Sequence, residues 1–145
     1  MSPHDRIRLI GSLSHDAMKR RLWTALLVLY AAAIFAVSHR SVSVGEPLFP
    51  HVDKLLHAAE FALFFALAWK TTDRRFAAAF LLAATYAGTD ELHQVFIATR
   101  TASALDFGAD LIGALLAGLL LAFGGRLWAV LRTRILRPGH SKVES

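Results

Sequence analysis

Apolar and polar positions in this chain fall into long alternating blocks, not into the short periods of a half-buried soluble fold. Residues 22–38 carry no charge. At the rise of an α-helix they reach roughly 26 Å, enough for the hydrocarbon core of a bilayer. Further blocks run over 55–69, 76–97 and 105–127. Gly45, Pro47 and Pro50 break the segment between the first two blocks. A charged turn over 70–75 and a short loop over 98–104 separate the others, and basic tails cover 1–21, which reads as a frayed tail or a surface helix, and 128–145. The pattern predicts an all-α membrane protein, a four-transmembrane-helix up-down bundle in one domain. Gly113, Ala114, Ala117, Gly118 and Ala122 give the fourth helix a small-residue face for close packing.

Composition points the same way. Of 145 residues, 55% are hydrophobic and only 19% charged, and the mean hydropathy is +0.46. No cysteine is present, which rules out disulfides, thiolate chemistry and cysteine-held metals. The net charge of +5 would suggest nucleic acid in a soluble protein. Here no recognition motif accompanies it, and the charge flanks apolar segments, so no nucleic-acid partner is expected. Thirteen of the 16 Lys and Arg residues lie within 1–21, 70–75 and 126–145. The positive-inside rule then puts both termini in the cytoplasm. A cleaved signal peptide is the rival reading of 22–38, with Lys19-Arg20-Arg21 before it and Ala36-Val37-Ser38 as the small-residue site. The block is longer than a usual signal core and its preceding tail is long, which favours a retained helix. Trp23, Trp69 and Trp128 sit near the cytoplasmic helix ends and read as interface anchors.

This orientation gathers the ionisable residues at one level. The second helix starts at the outer face, the third ends there and the fourth starts there. Asp53, Lys54, His57, Glu60, Asp90, Glu91, Gln94, Arg100, Asp106 and Asp110 therefore all fall in the outer half. Asp53, His57 and Glu60 are spaced by four and three and share a helix face; Asp90 and Gln94, and Asp106, Asp110 and Gly113, repeat such spacing. A charge at bilayer depth costs at least ~2.5–3.5 kcal/mol, so these stripes are expected to face one another. Plainer roles exist for each: Asp53 and Lys54 as interface markers, Asp106 or Ser103 as the cap of helix four, His57 and Glu60 as an internal hydrogen bond. His93 lies off the Asp90/Gln94 stripe.

Three motifs in order carry a family resemblance: Asp53-Lys54-x-x-His57-x-x-Glu60-Phe61, then Asp90-Glu91-x-x-Gln94-x-Phe96, then Arg100-x-x-Ser103-x-x-Asp106-x-x-x-Asp110-x-x-Gly113. Together they resemble the VanZ-like family of small bacterial membrane proteins. Asp110 stands where that family often has Asn, and Ala98-Thr99 where it usually has Pro-Gly. The resemblance implies a multi-pass protein of the bacterial inner (cytoplasmic) membrane with a cell-envelope role. The family's name-giver is associated with resistance to teicoplanin, but the domain also occurs in general envelope genes.

Several functions fit these residues. An enzyme at the outer leaflet would use His57 as acid or base, oriented by Glu60 or Asp90, with Glu91 as a second acid/base group. Lys54, Gln94, Arg100, Ser103, Asp106 and Asp110 are the candidate substrate-binding residues, with Arg100 suited to a phosphate or carboxylate. The substrate would be a phospholipid or a lipid-linked envelope precursor, attacked by activated water. A metal version would use His57 and Glu60 with Asp90, Glu91 or Asp110, but His-x-x-Glu alone is a weak signal and no metal or cofactor is assigned. A non-catalytic accessory protein would use the same network to recognise a headgroup, a membrane partner or a second copy of itself. Proton-linked transport ranks last, because the carboxylates are confined to one leaflet and no helix breaks at the midplane.

Overall fold

The computed structural model describes residues 3–39, 51–97 and 102–135. Four helices occupy nearly all of them: α1 (Pro3–Ser38), α2 (Val52–Thr71), α3 (Phe76–Gln94) and α4 (Ala104–Ile135). No strand occurs among the described residues. The basic segment ahead of the first apolar block is helical and continuous with it, and α4 likewise runs on past its apolar block.

Contacts between elements set the helix directions. Trp23 of α1 lies under Lys70 at the end of α2, with the ammonium 5.7 Å from the ring centroid. The Tyr30 hydroxyl donates to the Glu60 carbonyl at 3.2 Å, so α1 and α2 run oppositely. Tyr86 of α3 donates to the Ala31 carbonyl, and Ser38 reaches Asp90, so α1 and α3 run alike. His57 meets Asp110 and Phe65 meets Gly118, so α2 and α4 run alike.

α2 packs against each of the other three helices. Phe61, Phe64, Phe65 and Ala68 recur at helical spacing along its buried face. Opposite them stand small residues: Ala79, Ala83 and Ala87 on α3, and Ala114 on α4, all fully buried. Two glycines allow the closest approach. A Cβ on Gly113 would lie 1.9 Å from the Ala58 carbonyl oxygen, and one on Gly118 would lie 2.6 Å from the Phe76 ring and 2.8 Å from Phe65. The α2–α3 turn is equally tight. Asp73 and Arg74 both take left-handed backbone angles, φ 53° and 62°, while Thr72 N–H and Arg74 N–H return to the Ala68 and Trp69 carbonyls. This is the usual closure for orphan carbonyls at a helix end.

The outer surface is apolar. Leu29 on α1, Leu55 and Leu56 on α2, Leu81 on α3 and Leu120 on α4 are all well over half exposed. Two helical stretches, Leu13–Ser38 and Ala104–Gly124, are long and apolar enough to cross a membrane. Of their most apolar windows only 17% and 22% is buried, unlike the core helix of a soluble protein. α2 and α3 have 20 and 19 residues, but Asp53, Lys54, Glu60 and Lys70 interrupt the first, and the second ends in Asp90, Glu91, His93 and Gln94.

Candidate functional site

Large leucines outside and carboxylates inside is an inversion of the soluble pattern, and the carboxylates collect at one end of the bundle. That end is formed by the start of α2, the end of α3, the start of α4 and the last residue of α1. Asp90, Glu91, Gln94 and Asp110 are buried there.

His57 faces α4. Its Nδ1 lies 3.0 Å from Asp110 Oδ1, a pair formed between one and two turns inside each helix. The Gly113–Ala58 contact brings the two backbones close enough for these side chains to meet. Asp110 thus takes the orienting position that the sequence offered to Glu60 or Asp90. Glu60 is half-buried near His57, Tyr30 and Tyr86, and its carbonyl receives the Tyr30 hydroxyl.

Lys54 bridges α2 and α4. Its ammonium donates to Asp53 at 2.7 Å and to Asp106. Asp106, then Asp53, hold the Lys54 ammonium above its ordinary range, against partial desolvation. The Lys54 hydrogen bond in turn holds the exposed Asp53 carboxyl below the usual carboxylate range.

Asp90 is served from two helices: the Ser38 hydroxyl donates to its Oδ2 at 3.0 Å and the Gln94 amide at 3.1 Å. Ser38 is absent from the sequence motifs; its one signal is a polar residue closing an apolar block at this level. Glu91 Oε2 accepts the Ser103 N–H at 2.7 Å, which puts a carboxylate at the amino end of α4, where the helix dipole favours it. Ser103, not Asp106, caps that helix, since its hydroxyl accepts the Asp106 N–H at 3.3 Å. Asp106 is left for Lys54. Arg100 lies outside the described residues.

Three buried oxygens, Asp90 Oδ1, Glu91 Oε1 and Asp110 Oδ2, have no hydrogen-bond partner among the described residues. Their groups share one end of the bundle: Asp90 and Glu91 near the end of α3, with Glu91 meeting the first turn of α4 through Ser103, and Asp110 on α4 against His57. Among the described residues no three His, Asp or Glu side chains converge as a metal-ligand set. His93 stands apart: its ring lies 4.4 Å from that of Phe35, tilted by 33°, and its Nε2 lies 3.4 Å from His39 Nδ1.

The arrangement can orient a histidine, hold an ammonium between two carboxylates and offer further carboxylate oxygens to a ligand. No curated protein and no solved structure matches the chain. A family model described as VanZ/LLP1 matches residues 9–127, which includes the three polar motifs and all four apolar blocks. With most of its length covered by that match, the chain belongs to the VanZ/LLP1 family.

Proposed function

We propose that this VanZ/LLP1-family chain is a four-span protein of the bacterial inner membrane that binds the headgroup of a phospholipid or lipid-linked envelope precursor. Both termini lie in the cytoplasm, and the polar end of the bundle opens at the outer leaflet. The observation that carries this reading is the inversion described above: leucines cover the outside of all four helices, and buried carboxylates with spare oxygens lie between them at one end. Intramembrane ionisable residues are expensive and are placed where they act on a ligand or a path. The Lys and Arg distribution supports the orientation.

The His57–Asp110 pair favours a second reading, in which the bound headgroup is hydrolysed or transferred. His57 would accept a proton from water, and Asp110 would orient its ring. Glu91 is the second acid/base candidate.

Complementation tests both. A deletion strain carrying wild type, His57→Ala, Glu91→Gln or Arg100→Ala at matched expression is challenged with envelope stress and teicoplanin-class drugs. Variants that insert normally and fail to rescue support a working site. Full rescue by all three would reduce the cluster to a structural network. Turnover of labelled lipid by wild type that is lost in His57→Ala separates the enzyme from the binding protein.

A further inference from the structure

A contact between two histidines lies outside the network of carboxylates. His39 directly follows α1, and His93 lies in the last turn of α3. Their rings come from different helices and meet nitrogen to nitrogen, His39 Nδ1 at 3.4 Å from His93 Nε2. The ring planes are within 24° of parallel and the centroids 5.6 Å apart. Phe35, four residues before His39 on the same face of α1, backs the His93 ring at 4.4 Å. Unlike the buried carboxylates, this pair is open to solvent: His39 is exposed and His93 half-buried.

That separation is long for a hydrogen bond, since N–H donors usually sit about 2.7–3.2 Å from an acceptor. An exposed neutral pair also contributes little to folding, because water competes for both groups. The same separation suits a shared metal ion. Two zinc–nitrogen bonds of about 2.0–2.1 Å at the tetrahedral angle set their nitrogens roughly 3.3–3.4 Å apart. Neutral imidazole is the side-chain ligand suited to zinc and its first-row neighbours. Each neutral ring carries one N–H and one lone pair. Both facing nitrogens offer lone pairs once the two protons sit on His39 Nε2 and His93 Nδ1. The proton held between the rings moves to the far nitrogen of its own ring, through water, and none is released. No third His, Asp or Glu converges with the pair among the described residues, so water fills the remaining positions.

We propose that His39 and His93 form a two-imidazole site for a divalent transition-metal ion of the zinc class, bridging the end of α1 to the end of α3. This site goes beyond the headgroup reading and does not depend on it. It adjoins the polar cluster on both helices. Ser38 precedes His39, Asp90 lies three residues before His93, and Ser38 and Asp90 are hydrogen-bonded. A bound ion therefore fastens the same two helix ends that this hydrogen bond joins.

The test uses the full-length untagged chain in detergent, stripped with a chelator and titrated with Zn2+ alone by calorimetry. One ion per chain should bind, with a Kd on the order of 10 µM. His39→Ala and His93→Ala should each weaken binding at least about tenfold. His51→Asn should leave it unchanged; His51 is exposed at the start of α2, and asparagine tolerates its left-handed backbone. Mg2+, which prefers oxygen ligands, should not compete. Imidazole nitrogen NMR of the wild type gives a readout that needs no variant: Zn2+ should shift His39 Nδ1 and His93 Nε2 and leave the far nitrogens as N–H. A wild type that binds no Zn2+ below millimolar concentration would overturn the site and leave a plain hydrogen bond. Binding that survives both alanine substitutions, or zinc shifts confined to other histidines, would overturn it by placing the ion elsewhere. The headgroup reading is decided separately, by the complementation assay.

Discussion

Asp110 offers His57 one carboxylate oxygen at 3.0 Å and keeps its other oxygen free of any hydrogen bond among the described residues. The pair joins α2 to α4 in the buried end of the bundle, where Asp110 is 1% exposed. Removing one partner strands the other, which in a buried ion pair costs about 3 kcal/mol or more. His57→Leu should therefore lower stability by about that amount. The double variant with Asp110→Leu should recover part of the loss, since no charge is then left behind. Reversible unfolding in mixed micelles measures all three. Losses that simply add would refute the coupling.

Gly113 makes the sharpest steric prediction. A methyl group there would overlap the Ala58 carbonyl at 1.9 Å, and that obstacle is backbone, which cannot rotate away. Gly113→Ala should cost about 3 kcal/mol through separation of α2 and α4. Gly108, on the same helix, has nothing within 4 Å of its built Cβ. Gly108→Ala should be neutral or gain up to about 1 kcal/mol from helix propensity. Thermal denaturation of the two variants side by side makes the comparison.

The Lys54 ammonium and the Asp53 carboxyl titrate in opposite directions, and the signs can be worked out separately. The folded pKa of Lys54 is raised, so its contribution is complete below the ordinary lysine range and fades as pH climbs through the raised value. The folded pKa of Asp53 is lowered, so its contribution is complete above the ordinary aspartate range and fades as pH falls through the lowered value. The stability difference between wild type and Lys54→Met should be flat across neutral pH and shrink at both extremes. A difference that peaks near neutrality would point to a histidine instead.

Topology is open to direct labelling because the chain has no cysteine. Single cysteines at Ser43 or Thr101 should react with an impermeant maleimide in intact spheroplasts. Cysteines at Ser2, Thr72 or Ser141 should react only after lysis. Labelling of Thr72→Cys from outside would reverse the orientation.

Much of this arrangement was legible before any coordinates, and the limits have physical causes. Spacings of three and four in a helix state which residues share a face, so Asp53, His57 and Glu60 could be grouped from their numbers alone. Spacing does not state which neighbour that face meets. His57 takes Asp110 because Gly113 lets α4 approach the Ala58 backbone, a tertiary fact that no single helix records. The cap of α4 was ambiguous for a related reason. Ser103 and Asp106 are both good capping residues, and the choice falls to Ser103 because Lys54, from another helix, occupies Asp106. Ser38 had no motif to announce it, yet it is the only described link from α1 into the carboxylates of α3. The helical extension ahead of residue 22 was legible only as one of two options, since a polar, charged stretch without an apolar face reads equally as a tail.

The four helices divide into two that are apolar enough to cross a membrane and two that polar residues interrupt. That division bears on how the chain is made. In a bilayer, α1 and α4 can each leave the translocation machinery alone, but α2 and α3 carry polar groups, His57, Asp90 and Glu91 among them, that take partners from beyond their own helix. Asp90 waits for Ser38 of α1, which is already made, whereas Asp110 and the Ser103 N–H that serve His57 and Glu91 come last in synthesis. The central hairpin is thus the debtor of the final helix, and a chain truncated before α4 should stall as a half-inserted client for membrane proteases.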